Sequence, residues 1–349
     1  MNRAAPRAAI GSLRRSVSEG AGASVTVEAP ARLHLGFVDL GGSLGRKLGS
    51  IGLAIDRPVT RLTVSEASEF GSSGPEAERA LRAARRFGDA FAGGSAFHVD
   101  VEEAIPAHAG LGSGTQLALA VGAAILKLAG AAKGSSIATD QLEISARLGA
   151  MAERGARSSI GIASFTSGGF IVDAGKPLAS HAGDEPPAVL MQIPFPEDWR
   201  AVLILDNRIE GVHGEAEIAA FARLPVFAPA KAAHIAHLVL MRLAPALHEH
   251  DIGAYGAALT EIQALVGGYF AEAQGGSAWS SPAVGALAGR LADAGAVGIG
   301  QSSWGPTGFV FVPDQSTAEA LYHSFVGEAK ALGLALEIVR GRNSGARIS

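Results

Sequence analysis

The sequence predicts an α+β fold in two domains, and three observations carry that reading. The C-terminal stretches "AVGIGQSSWG", "TGFVFVP", "STAEALYHSFVGEAKALG" and "LALEIVRGR" run strand, loop, strand, helix, strand. That order fits an antiparallel sheet with helices on one face. A chain of 349 residues is long enough for two cores. A proline-rich passage, "DEPPAVLMQIPFPEDW" (184–199), marks the division between them. The boundaries expected are a disordered tail over 1–22, a first domain over 23–190 and a second over 191–349.

The elements follow in order. Residues 24–40, "SVTVEAPARLHLGFVDL", alternate apolar and polar side chains and read as a strand, with Leu33, Leu35 and Phe37 on one side. A glycine-rich turn leads into a short apolar strand, "GGSLGRKLGSIGLAID", and "PVTRLTVSEA" (58–67) reads as a third. Residues 76–92 form an amphipathic helix with arginines on its wet face. "FHVDVEEAIP" (97–106) alternates as a half-buried strand. A helix follows from about Thr115 to Leu128, and another starts at Thr139 or Asp140 as N-cap. "AVLILD" (201–206) is a buried-type strand, helical patterns fill 215–273, and Gly295 closes a helix over "SPAVGALAGRLADAG".

Composition removes several function classes. The formal charge of −4 gives no general nucleic-acid surface. No apolar run reaches the roughly 18 residues of a membrane span. There is no cysteine, which excludes disulfides, thiolate catalysis and zinc–thiolate sites. The first twenty residues hold four arginines and one acid, Glu19, a transit-like composition without an apolar segment. The expectation is a cytoplasmic protein that holds anionic ligands with local cations, backbone N–H groups or a metal.

"PAHAGLGSGTQLALAVG" (106–122) is the stretch that offers such a site. Gly110, Gly112 and Gly114 permit positive φ and close backbone approach. The helix that follows aims its unpaired N–H groups and positive dipole end at the loop. Ser113 and Thr115 add hydroxyls. By itself the loop fits either a phosphate cradle or a plain glycine-rich turn, and its spacing matches neither GxxxxGK[ST] nor GxGxxG.

Two further stretches accompany it: "APARLHLGF" (29–37) and "GIGQSSWGPTGFVFV" (298–312). Together the three resemble, in order and spacing, the motifs of the GHMP superfamily of small-molecule kinases. The resemblance implies an N-terminal α/β domain with the glycine-rich phosphate loop and a ferredoxin-like C-terminal domain. It also exposes a departure. Kinases of that superfamily place a Glu after the second helix, then a stretch whose Asp orients the acceptor hydroxyl. Here "MAERGARSSIGIASFTSGG" stands there. Glu153 matches the magnesium-ligand Glu, but residues 157–163 contain no carboxylate, and Gly114 replaces the second serine of the kinase loop.

"RLHLGFVDLGGSLGRKLGSIGLAID", "RSSIGIASFTSGGFIVDAG", "FAEAQGG" and "GQSSWGPTGFVF" resemble a non-kinase branch, the β-ribofuranosylaminobenzene 5′-phosphate synthases. That resemblance implies condensation of 4-aminobenzoate or 4-hydroxybenzoate with phosphoribosyl pyrophosphate, with loss of CO2 and pyrophosphate, on the route to tetrahydromethanopterin. It implies Mg2+ and a homodimer. A ring carbon is then the nucleophile and CO2 the electrofuge, so no O–H proton needs a base. The departing pyrophosphate and an oxocarbenium-like centre need electrostatic help instead.

On this reading Arg32, His34, Asp39 and Arg157 are the catalytic candidates. Gly110, Gly112, Ser113, Gly114 and Thr115 bind phosphate. Lys47, Ser158, Ser159, Ser302, Ser303, Trp304 and Gly305 contact substrate, with Trp304 as a stacking face. Glu153 and Asp39 hold the metal. Each has a plainer alternative: a surface ion pair for Arg32, a core histidine for His34, a turn residue for Asp39, a solvated helix face for Glu153, loop hydroxyls for the serines, core packing for Trp304. Two other readings stay open. One is an ATP-dependent kinase taking its carboxylate from Asp173 or Asp206; the other is a non-catalytic binder of phosphate ligands. His234, His237, His248 and His250 lack a third metal ligand at useful spacing and read as surface or core histidines. His213, Glu215 and Glu217 open a helix, where acids favour the N-terminus.

Overall fold

A computed structural model describes residues 23–132, 147–152, 158–178, 185–211 and 224–349. Strand β1 (Ser24–Asp39) pairs antiparallel with β2 (Arg46–Ala67) along almost its whole length, from Ser24↔Ser65 to Asp39↔Leu48. The two strands read separately in the sequence on either side of residue 57 are one strand of 22 residues. Its pairing with β1 shifts register twice: between His34 and Gly36, and where Pro30 opposes Val59 and Ala31 opposes Ile55, so that residues 56–58 bulge out around Pro58. Proline has no N–H for the ladder, so a bulge is where a strand accommodates it.

The second half of β2 pairs with β4 (Ala96–Glu103), which carries the short β3 (Gly71–Ser73) in parallel. Its first half pairs with β5 (Phe170–Asp173), which in turn pairs with β7 (Val189–Ile193); β6 (Lys176–Pro177) sits beside residues 46–47. Helix α1 (Ala77–Phe91) turns Ala80, Ala84 and Phe87 inward, as its pattern predicts. It covers this sheet together with α2 (Ser113–Ala132). The stretch Ser113–Gly130, long and apolar enough to compare with a membrane span, is 67% buried and is a core helix. Helix α3 (Ile160–Thr166) packs beside it, Gly161 against Thr115 and Gly52 under Ile160.

The second sheet runs β11–β8–β10–β9, all antiparallel, from β8 (Arg200–Leu205), β9 (Val297–Gln301), β10 (Gly308–Val312) and β11 (Ala335–Arg340). Val202, Ile204, Val310 and Val312 face α7 (Pro282–Asp293) and α8 (Gln315–Ala331). The opposite residues, Ala201, Leu203, Phe309 and Phe311, do not face water. They enter a central core with Leu33, Leu35 and Leu53 of the first sheet and with α4 (Pro229–Leu238), α5 (Ala244–Glu249) and α6 (Ile252–Phe270). The sheet is therefore covered on both faces, not one as the sequence order suggests. Its strands read as apolar runs, which is the pattern of double burial.

The boundary expected between residues 190 and 191 falls inside β7, which belongs to the first sheet. The chain also returns at its end: β12 (Arg347–Ile348) pairs with Val27 and Glu28 of β1. Glu28 fastens this return. It accepts from Arg61 at 2.6 Å, Arg342 at 3.0 Å and Arg347 at 2.5 Å. Burial pulls its carboxyl upward, but the three guanidiniums outweigh burial and hold it at about 2 against an ordinary 4.5. A depressed folded value means that the ion pairs contribute fully above about pH 4.5 and are lost as pH falls toward 2. In thermal melts from pH 7 to pH 2.5, Glu28→Gln is expected to melt lower at pH 7 and to lose less between pH 4.5 and 2.5 than the parent. Parallel curves would remove Glu28 from the latch.

Candidate active site

The three motif stretches meet at one place, and backbone atoms do most of the joining. Leu111 O accepts from Arg32 N at 3.1 Å, which lays the loop along the edge of β1. Gly110 O accepts from the Arg32 guanidinium and from Ser302 Oγ at 2.7 Å. Ser302 Oγ also accepts from His34 N at 2.9 Å, and Ser303 N donates to His34 O at 3.2 Å. One serine thus links the first, second and third motifs. Gly211 N donates to His108 O at 2.9 Å, adding the loop after β8.

The loop needs its glycines for two separate reasons. His108, Gly110 and Gly112 take φ of 55°, 77° and 88°, with other conformations between them. Alternation of this kind turns successive N–H groups inward and forms an anion-binding concavity. Packing is the second reason. A Cβ on Gly110 would lie 2.3 Å from Ser302 O, and one on Gly112 would lie 3.2 Å from Arg32 Cγ. Gly112 O accepts from Thr115 N and Gln116 N, each at 3.1 Å, so α2 begins at Ser113. The amides of Ser113 and Gly114 then have no intrahelical acceptor. At a helix start such amides and the positive end of the dipole are available to an anion.

Several expected substrate contacts are part of the scaffold instead. Ser302 is fully buried and both hydrogen bonds of its Oγ are internal. Trp304 is buried with its ring 4.5 Å from that of Phe270, so it packs in the core and offers no open stacking face. Gly305 is pressed against Ser280, where a Cβ would lie 2.1 Å from Oγ. Ser303 takes φ of 57° and gives its N–H to His34. Ser159 Oγ donates to Pro187 O, and Ser159 N and Ser158 Oγ both donate to Asp173. Asp39 Oδ1 accepts from Gly41 N at 2.7 Å and Gly42 N at 2.9 Å, the work of a turn residue. His34 is buried with its ring 4.5 Å from Phe37. Lys47 is exposed, opposite Lys176 in the strand register. Arg157 and Glu153 lie outside the described residues, as do His213, Glu215 and Glu217.

The two carboxylates considered for a kinase are also committed. Asp173 is buried; Oδ1 accepts from Ser50 N and Gly175 N, each at 2.9 Å, and Oδ2 from Ser159 N at 2.8 Å and Ser158 Oγ at 3.1 Å. Burial pushes its carboxyl up, and these four donors pull it back. Asp206 takes the fork of Arg208 at 2.8 and 2.9 Å and the hydroxyl of Ser281 at 2.8 Å. Arg208 pulls its carboxyl down against burial, to about 2. Both carboxylates are thus held by the protein's own donors.

Some site residues escaped sequence reasoning. Gln263 donates to Leu35 O at 2.6 Å and accepts from Gln301 N at 2.9 Å, so a single side chain from α6 bolts the first motif to the third. Gln301 Oε1 accepts from Ser280 N at 2.8 Å. A lone glutamine on a helix carries no sequence signal; its partners are 228 and 38 residues away. His108 lies within the quoted loop, and its left-handed backbone is a role His fills more readily than most residues.

For a metal, no three His, Asp or Glu side chains converge among the described residues. A protein-only cage is therefore not built there. The loop is suited to an ion that arrives on phosphate oxygens, since Mg2+ keeps several non-protein ligands.

Comparison with known proteins agrees with this geometry. The GHMP kinases N terminal domain family matches residues 78–169, and the GHMP kinases C terminal family matches residues 243–330. Among solved structures, the homoserine kinase from Cytophaga hutchinsonii superposes with a TM-score of 0.65 at 18% identity, covering 95% of this chain and 98% of that one. Mevalonate diphosphate decarboxylase from Staphylococcus aureus superposes with a TM-score of 0.64 at 14% identity, covering 93% and 98%. These establish the fold. Closer in sequence is beta-ribofuranosylphenol 5′-phosphate synthase of Methanothermobacter thermautotrophicus, 31% identical over 80% of this chain and 86% of its own length. The protein of that name from Archaeoglobus fulgidus is 34% identical over 68% of this chain and 74% of its own length. On the converging motifs and this similarity, the chain belongs to the beta-ribofuranosylphenol 5′-phosphate synthase family, an enzyme branch of the GHMP superfamily.

Proposed function

We propose that this enzyme joins the anomeric carbon of phosphoribosyl pyrophosphate to the carboxylate-bearing ring carbon of 4-hydroxybenzoate or 4-aminobenzoate. The observation that carries the reading is the pairing of a phosphate concavity with carboxylates that are all engaged elsewhere among the described candidates. The relatives' name, with its phenol product, favours the hydroxybenzoate. The product fits a place on the route to tetrahydromethanopterin.

Bonds and electrons balance without a base for the substrate. The C1–O bond to pyrophosphate breaks and the leaving oxygen keeps the pair. The ring carbon forms the new bond to C1. The bond to the carboxylate then breaks, returns its pair to the ring and releases CO2. The chain's part is electrostatic. The amides of Ser113 and Gly114 and the α2 dipole receive the charge that grows on pyrophosphate. Arg32 presents a fork to a phosphate or to the benzoate carboxylate. Magnesium would neutralise pyrophosphate charge, and Ser113, Thr115 and Glu153 are the side chains that would hold it. A homodimer in the cytoplasm is the form we assign to the enzyme.

Carboxyl-labelled 4-hydroxybenzoate, phosphoribosyl pyrophosphate and Mg2+ are expected to yield labelled CO2 and pyrophosphate in equal amounts. Absence of CO2 from either benzoate rejects the reading. Phosphorylation of an alcohol with ATP would replace it with the kinase.

A further inference from the structure

Away from the phosphate loop, the end of the chain builds a second basic site. The segment "RGRNSGAR" (340–347) carries three arginines in eight residues of a protein whose formal charge is −4. Its path is fixed by packing: a Cβ on Gly341 would lie 2.5 Å from Phe195, and one on Gly345 would lie 2.3 Å from Thr166 O. That path brings Arg340, Arg342 and Arg347 beside Arg57 and Arg61 of β2. The five line a cavity of about 490 Å³, with Glu28, Asp56, Glu103 and Glu337 as the acids on its walls. No residue of the phosphate loop or of residues 301–307 lines it. Glu28 lies four residues from Arg32 along β1, roughly 13 Å at strand rise.

The pairing inside the cavity is uneven. Glu28 takes Arg61, Arg342 and Arg347 together, and Arg342 also donates to Ser344 O and Gly345 O. Asp56 takes Arg340 at 3.2 Å, and Glu103 stands 4.0 Å from Arg61. Arg57 makes no hydrogen bond or ion pair among the described residues and acts on Glu337 only through its field. Burial, the leading cause, pushes the Glu337 carboxyl up, which weakens it as a counterion. Guanidiniums converging on one carboxylate repel one another, and five guanidiniums against four carboxylates leave the cavity a positive balance for a second anion.

We infer that this cavity binds the phosphate group of a small phosphorylated metabolite, at a site separate from the phosphate loop. A phosphate suits it better than a carboxylate. With up to two negative charges and tetrahedral oxygens it offers acceptors in three directions to arginines arriving from β2, β11 and β12, whereas a carboxylate offers one charge and two coplanar oxygens. The volume suits a ligand larger than the bare ion. Asp56, Glu103 and Glu337 on the walls supply acceptors for hydroxyl or amine groups on the rest of such a molecule.

Isothermal titration of the full-length protein with ribose 5-phosphate tests this. Arg57→Ala removes an exposed side chain without an ion pair, so the fold is expected to stand. Ser113→Asp places a negative charge at the start of α2, which repels phosphate from the loop and suits the helix end. The arginine site is expected to weaken at least about tenfold in Arg57→Ala, the loss of one charge-assisted contact. It is expected to persist in Ser113→Asp. A single binding event that survives Arg57→Ala and disappears in Ser113→Asp overturns the inference. So does the absence of any ribose 5-phosphate binding sensitive to Arg57. Succinate binding at the same site with equal affinity overturns the choice of phosphate. If the loop binds nothing but the Arg57-sensitive site remains, the proposed reaction is in doubt and this site is not.

Discussion

Arg32→Ala is expected to lower kcat/KM about 10³-fold, roughly 4 kcal/mol of transition-state stabilisation. The melting temperature should fall by only a few degrees. Arg32 has two connected tasks. Its backbone N–H holds Leu111 O, and its guanidinium holds Gly110 O. The variant keeps the first and loses the second together with the positive charge. Its side chain is half-buried against Gly112, so truncation leaves a groove rather than a core cavity. Arg32→Lys should recover little, because an ammonium restores charge without the fork. Steady-state assays of the three proteins beside circular dichroism spectra settle the matter. Parent-like rates in Arg32→Ala would remove this residue from the site.

Gly110→Ala should be the more damaging change to the architecture. The new methyl would meet Ser302 O at 2.3 Å and Gly305 O at 3.1 Å, and φ of 77° already penalises an L side chain. Left-handed backbone alone costs about 1–2 kcal/mol, and both close contacts are backbone atoms that cannot rotate aside. We expect a loss of about 2 kcal/mol or more in denaturant unfolding and a fall in turnover of at least about 100-fold. Gly268→Ala, on α6 with open space around its Cβ, is the control and should unfold no more easily than the parent, since alanine gains about 0.5–1 kcal/mol over glycine inside a helix. If Gly110→Ala unfolds and turns over like the parent, the second and third motifs do not touch as described.

The two variants mark how far the sequence could be read. The glycines of the loop, Arg32 and the stretch at 301–307 were legible because their spacing is local and their chemistry is narrow. The roles inside that stretch were not. Ser302 reads as a ligand-binding hydroxyl, yet it spends its oxygen on His34 and Gly110, which are 268 and 192 residues away. Trp304 reads as a platform and packs against Phe270 instead. Ser158 and Ser159 read as substrate contacts and secure Asp173. In each case a polar or aromatic side chain next to a site served the site's frame. Buried polar groups must be satisfied, and the partners that satisfy them come from anywhere in the chain.

The sequence by itself determined the α+β class, the glycine-rich loop at a helix start and the family, because periodicity, glycine spacing and motif order are properties of neighbouring residues. The joining of two sheets through one core, the return of the tail to Glu28, the Gln263 bolt and the commitment of Asp173 and Asp206 were decided only in three dimensions. These depend on contacts between residues far apart in the chain, and a local pattern does not record which distant group a carboxylate or amide will meet.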